Sequence, residues 1–148
     1  MTASARSAPA SAVILVAAAL AACGTRPQPR DDFEIAVGPH YEARSWVSAN
    51  GNLHCLASNR FHDNGEALAF IDTLYSAGAE TVWVYDIYDD TATVTWEGGA
   101  YADAIYAVLP HDEADRDRLF SIAAAEARAQ GLRPELDIGQ KRLFFWWD

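Results

Sequence analysis

Two His-Asp steps, His62-Asp63 and His111-Asp112, are the residues of this chain that first suggest hydrolytic or metal chemistry. An imidazole beside a carboxylate can hold a divalent cation or move a proton. The two steps can form one centre only if both strand-to-helix turns lie at the same end of the domain. Their spacing matches no HExxH or cysteine-rich metal motif. Each aspartate also stands where a helix should begin, and Glu66 completes a capping box with Asp63, a cap worth about 1 kcal/mol. The acidic group Asp86, Asp89 and Asp90, with Asp103 further along, could bind calcium or act as a carboxylate pair. The regular oxygen spacing of a calcium loop is missing, however, and Asp89-Asp90 suits a turn. Cys55 lies in the stretch Leu53, His54, Cys55, Leu56, Ala57, where a cysteine reads as a small core residue; a reactive thiolate would need cationic neighbours. No GxSxG, SxxK or CxxC step and no phosphate-cradling glycine loop occurs. The residues therefore point to binding before catalysis, with no cofactor and no metal ligand set expected.

Aromatic side chains offer the other chemistry, that of contact. Trp83, Tyr85 and Ile87 alternate along one strand-like segment and share a face of it, Trp96 shares a face with Ala92 and Val94, and Trp146 and Trp147 fall on opposite faces of the last strand. Trp83, Tyr85, Trp96 and Trp146 are the candidate binding residues. Such a set would stack on sugar rings or seat a protein. Alternatively, residues 40–50 with Trp46 would fold over it and bury it.

These residues must be positioned by a small set of elements. Alternation marks a strand at Asn52 to Ser58, and Asp63 opens a helix whose apolar set is Ala67, Leu68, Phe70, Ile71, Leu74 and Tyr75, stopped by Gly78. Thr81 to Tyr88 has the β-branched and aromatic composition of a strand. Thr91 to Trp96 also reads as a strand, between Asp89-Asp90 and Gly98-Gly99, followed by a strand from Tyr101 to Leu109. Asp112 caps a second helix that runs to about Gln130, ended by Gly131 and Pro134, with Leu119, Ile122, Ala123 and Ala127 as its buried stripe. The last strand is Arg142 to Trp147. The pattern predicts an α+β domain, a ferredoxin-like two-layer sandwich of two helices on one mainly antiparallel sheet, with an extra hairpin strand at 91–96. Gln140, Lys141 and Arg142 place polar and cationic residues at the start of the final strand, a defence against edge pairing that favours a monomer.

The start of the chain carries a different signal. An uncharged apolar run from Ala8 ends in Leu20, Ala21, Ala22, Cys23, with Arg6 before it, and this resembles the lipobox signal peptide of bacterial lipoproteins. The apolar run is too short for a permanent transmembrane helix. The resemblance implies removal of residues 1–22, a diacylglycerol on the Cys23 thiol and an acyl chain, such as palmitate, on its new amine. Two or more chains make a stable anchor, at about 0.8 kcal/mol per buried methylene. Residues 23–40 would then be the lipidated cysteine and a polar, proline-bearing tether, and 41–148 a single domain. Gly24 in place of an aspartate implies the outer membrane in a cell that has two. Lipidated Cys23 would leave Cys55 with no disulfide partner in the chain. The stretches Leu74 to Ala79, Asp137 to Gln140 and Trp146 to Asp148 also resemble recurring segments of bacterial proteins that bring no assigned activity.

Charge narrows the partners. The formal net charge is −10, and residues 1–22 hold one cation and no acid, so the remainder carries ten cations against 21 acids, a balance of −11. Nucleic acid and anionic lipid surfaces need a basic footprint, so neither is an expected partner. The expected protein is an envelope lipoprotein, bound to the membrane through its lipid, that acts as a binding or assembly module toward an envelope protein or a cell-wall glycan. A different reading is an immunity-type lipoprotein that neutralises a basic toxin by electrostatic steering, and a third is a metal-dependent hydrolase built on the His-Asp steps.

Overall fold

The computed structural model describes residues 40–147. The lipobox, Cys23 and most of the tether region therefore lie outside the described residues. The elements run β1 (Tyr41–Glu42), α1 (Ala43–Ala49), α2 (Asn64–Ser76), β2 (Thr81–Tyr88), α3 (Thr91–Glu97), β3 (Tyr101–Val108), α4 (Glu113–Ala129) and β4 (Arg142–Trp146). The strands form one antiparallel sheet in sequential order, β1-β2-β3-β4. With helices packed on it, this is the α+β two-layer sandwich that the pattern predicts.

The register decides which side chains share a face. Val82 pairs with Ala107 and Val84 with Ile105, and across the next ladder Ala107 pairs with Leu143 and Ile105 with Phe145. These residues form one apolar core with Ala43 and Val47 of α1, Ala67, Ile71 and Leu74 of α2, and Leu119 and Ala123 of α4. One end of the core is an aromatic knot. Trp147 sets its ring against Phe61 and Phe70 at centroid distances of 5.2 and 5.7 Å, and stacks on Phe145 at 6.1 Å. Glu126 of α4 ties the knot, accepting from Trp147 Nε1 at 3.1 Å and from Arg60 Nε and Nη2 at 2.9 and 2.8 Å.

Two expected strands are absent, for identifiable reasons. The segment Asn52–Ser58 is a chain of turns that meets the sheet at a single parallel bridge, Leu56 to Ala102. Asparagine side chains take the place of strand partners there: Asn52 Oδ1 accepts the His54 N–H, and Asn64 accepts from the Cys55 N–H and donates to the Asn52 carbonyl. The alternation fails accordingly, with Leu53 71% exposed and Cys55, Leu56 and Ala57 all buried. The segment Thr91–Glu97 is a helix, not the extra hairpin strand. Asp90 caps it by accepting from the Ala92 and Thr93 N–H groups and the Thr93 hydroxyl, and Gly98 closes it at φ 78. Thr, Val and Trp favour strands, but capping at both ends decided a short segment that buries no residue of its own.

Candidate functional site

The second face of the sheet carries the aromatic set, in rows fixed by the register. Thr81, Val108 and Arg142 form one row, Trp83, Tyr106 and Phe144 the next, and Tyr85, Ala104 and Trp146 the third. Ala104 and Tyr106 are buried, yet neither belongs to the core cluster into which the helices send their buried residues. The rings hold one another: Tyr85 stands at 5.8 Å from Tyr106 and 5.7 Å from Phe144, the latter edge to face, and Tyr106 lies 5.7 Å from Phe144. The Arg142 guanidinium sits over the Tyr106 ring at 5.5 Å, and His40 meets Trp83 edge-on at 5.3 Å. Tyr106 is only 3% exposed, whereas Trp146 at the corner is 49% exposed. Burial, and then the nearby Asp86 charge, push the Tyr85 hydroxyl up to about 12, so this ring contributes as a neutral phenol.

Three of the four candidate aromatics, Trp83, Tyr85 and Trp146, meet on this face. Trp96 does not, because its segment is helical: it stands on α3, 88% exposed. Tyr106, Phe144 and Arg142 are the residues that sequence reasoning missed. Their signal was the alternation of 104, 106 and 108 against 142, 144 and 146 across paired strands. Trp46 does not cover this face, since α1 packs into the core on the other side with Trp46 against it.

The candidates for catalysis go elsewhere. Asp63 accepts the Glu66 N–H at 3.0 Å and Asp112 the Asp115 N–H at 3.0 Å, each capping its own helix. His62 spends its N–H and ring on the Glu66 carboxylate. Asp115, in the first turn of α4, lies against Gly78, just past the far end of α2. The two His-Asp steps therefore sit at opposite ends of a 13-residue helix, about 20 Å apart, and share no site. Among the described residues no cluster of three or more His, Cys, Asp or Glu could hold a metal.

Asp86 and Asp103 fall opposite each other in the β2–β3 ladder, at the one position between Tyr85–Ala104 and Ile87–Ala102 that does not pair. Asp86 there adopts φ 55. Asp103 accepts the Tyr101 hydroxyl at 2.6 Å, and that oxygen accepts the Ser58 N–H at 3.2 Å. Burial, and then this bond to Asp103, raise the Tyr101 pKa, so the group is a structural clasp. Burial likewise pushes the Cys55 thiol up to about 12, which removes it as a nucleophile. Comparison with protein-family models, curated protein sequences and solved structures found no match to this chain.

Proposed function

We propose that this chain is a lipid-anchored envelope protein, tethered through Cys23, whose domain binds a protein partner through the aromatic sheet face. The observation that carries this reading is the pair of rows Trp83–Tyr106–Phe144 and Tyr85–Ala104–Trp146 on the sheet face opposite the helical core. None of the nine positions in these rows of β2, β3 and β4 is acidic and one is an arginine, on a chain of net charge −10, while Glu42 of β1 pairs with Trp83 at the edge of the middle row. Trp and Tyr with an arginine around a desolvated centre is the composition of an interface hot spot. Edge-to-face packing within the face orders the rings in advance, which lowers the entropy lost on binding. The nine positions span about 10 by 13 Å between Cα atoms, the size of a hot spot that needs flanking contacts to reach a stable interface. The complementary surface is apolar and carries an acid opposite Arg142.

The test places a photo-crosslinking residue at position 146 in the full chain in membranes, with a control at Arg128 on α4. A discrete protein adduct at 146, absent at the control and lost on Trp83→Ala, is expected. Co-sedimentation with cell-wall sacculi that depends on Trp146 would replace the protein partner with a glycan.

A second reading, an immunity-type lipoprotein facing a basic toxin, draws on the balance of 21 acids against 11 cations in the chain. It requires an association rate that falls steeply with salt.

A further inference from the structure

A second site lies at the β1 edge of the sheet, where Glu42 pairs with Trp83. Between α1 and the turn leading into β3 lies a cleft of about 460 Å³, whose lining includes Tyr41, Glu42, Ser45, Trp46 and Asn50. Its floor is built by two glycines that let the loops touch. A Cβ on Gly51 would meet the Gly98 carbonyl oxygen at 2.8 Å, and one on Gly99 would meet Asn50 Oδ1 and the Asn52 nitrogen at 2.5 Å each. Asn50 fixes the same junction by donating to the Ala100 carbonyl at 3.0 Å and accepting the Asn52 N–H at 3.0 Å.

The lining combines a carboxylate with two aromatic side chains, and among the described residues no cation lines the cleft. Glu42 accepts from the Arg44 and Ser45 N–H groups at 3.1 and 2.8 Å and from the Tyr75 hydroxyl at 2.6 Å. These neutral donors fix the carboxylate without cancelling its charge. The Arg44 guanidinium, which feels the Glu42 charge, spends its hydrogen bond on Asp72 at 2.7 Å and lies over the Tyr75 ring at 4.3 Å. Burial works against ionisation of Glu42, but the bonds from Ser45, Tyr75 and Arg44 outweigh it and hold the group down at about 2, so it is charged throughout the neutral range. A fixed anion beside Tyr and Trp rings is the chemistry that selects an organic cation, through charge and ring quadrupole together. The acidity of the whole chain would raise the local concentration of such a ligand.

We infer that the cleft between α1 and the 98–100 turn binds an aliphatic ammonium, with Glu42 as counter-ion and Tyr41 and Trp46 as its aromatic walls. Two sources share that chemistry, a free polyamine and a lysine side chain of a partner protein.

Titration of the full chain in detergent, followed by the backbone amides of Gly51 and Gly99, tests this site with four probes. These are spermidine, the end-blocked tripeptide Gly-Lys-Gly, 1,6-diaminohexane and its neutral isostere 1,6-hexanediol. Saturable shifts with diaminohexane and none with the diol are expected. Tighter binding of spermidine than of the tripeptide assigns the free polyamine, and the reverse assigns a partner's lysine. Glu42→Gln, which keeps an acceptor for the cap, should weaken the amine about tenfold, and Tyr41→Ala, at a half-exposed position, about fivefold. Equal shifts from amine and diol, no shift from either, or unchanged amine affinity in the folded variants would overturn the assignment.

Discussion

Glu126 gives the sharpest stability prediction, because one carboxylate serves two partners of unequal worth. Trp147 is 1% exposed, and its Nε1–H reaches Glu126 Oε2 at 3.1 Å. Arg60 makes a bidentate pair with the same carboxylate at 2.9 and 2.8 Å, with its side chain 40% exposed. Leaving a buried indole N–H without an acceptor costs about 1–3 kcal/mol. Losing a half-exposed ion pair costs about 0.2–1 kcal/mol. Glu126→Ala should therefore destabilise by about 1–4 kcal/mol, and Glu126→Gln, which still accepts from the indole, by about 1 kcal/mol or less. At about 4 °C per kcal/mol for a domain of this size, the alanine variant should melt about 5–16 °C lower and the glutamine variant within about 4 °C of the parent. Urea unfolding followed by circular dichroism measures both. The bond from Arg60 chiefly, and the one from Trp147 after burial is overcome, lower the Glu126 pKa. The stability it supplies is therefore complete above the ordinary glutamate range and lost as pH falls through the depressed folded value, so the alanine variant should show a flatter acid limb. Equal losses for the alanine and glutamine variants would refute the role given to the indole bond.

Three further outcomes follow from local geometry. Gly78 sits at φ 107, and a Cβ there would come within 2.5 Å of the Asp115 Cγ, so Gly78→Ala should cost about 2 kcal/mol, read as a lower urea midpoint with an unchanged slope. Asp86→Asn removes a like charge opposite Asp103 while keeping a residue that tolerates φ 55, and should raise stability by about 0.5 kcal/mol, measured by thermal melting at low salt. Glu42, held at about 2 by its hydrogen bonds, stabilises the fold above the usual glutamate range and loses that effect as pH falls from about 4.5 toward 2. Glu42→Ala should accordingly cost about 1–2 kcal/mol at neutral pH and almost nothing at pH 2 in urea titrations, a figure reduced for the solvent that reaches this group.

What could be read from the sequence followed the strength of local signals. Strand β2 spans the residues its β-branched and aromatic composition suggests, and α2 and α4 begin just after aspartates placed before apolar periodicity, because a cap and a buried stripe agree there. The segments that misled were those where side chains replace backbone partners. Asn52 and Asn64 hold 52–58 in turns, and Asp90 with Gly98 winds 91–97 into a helix despite its strand-forming residues. The aromatic face was half legible. Alternation gave the face of Trp83 and Tyr85 but not that of Ile87, which packs against the core beyond Asp86 at φ 55; which faces merge depends on register, and the pairing of Trp83 with Tyr106 and Tyr106 with Phe144 is a long-range fact. The cleft was not legible at all, since it needs the 50–52 and 98–100 loops to meet at two glycines.

The most direct measurement of the aromatic face is crosslinking from position 146 in membranes of cells that express the full chain, with and without Trp83→Ala. A protein adduct at 146 that disappears with Trp83→Ala, while α4 position 128 stays silent, is the predicted result. Adducts that persist in the folded Trp83→Ala variant, or equal labelling from both positions, would contradict a partner seated on that face.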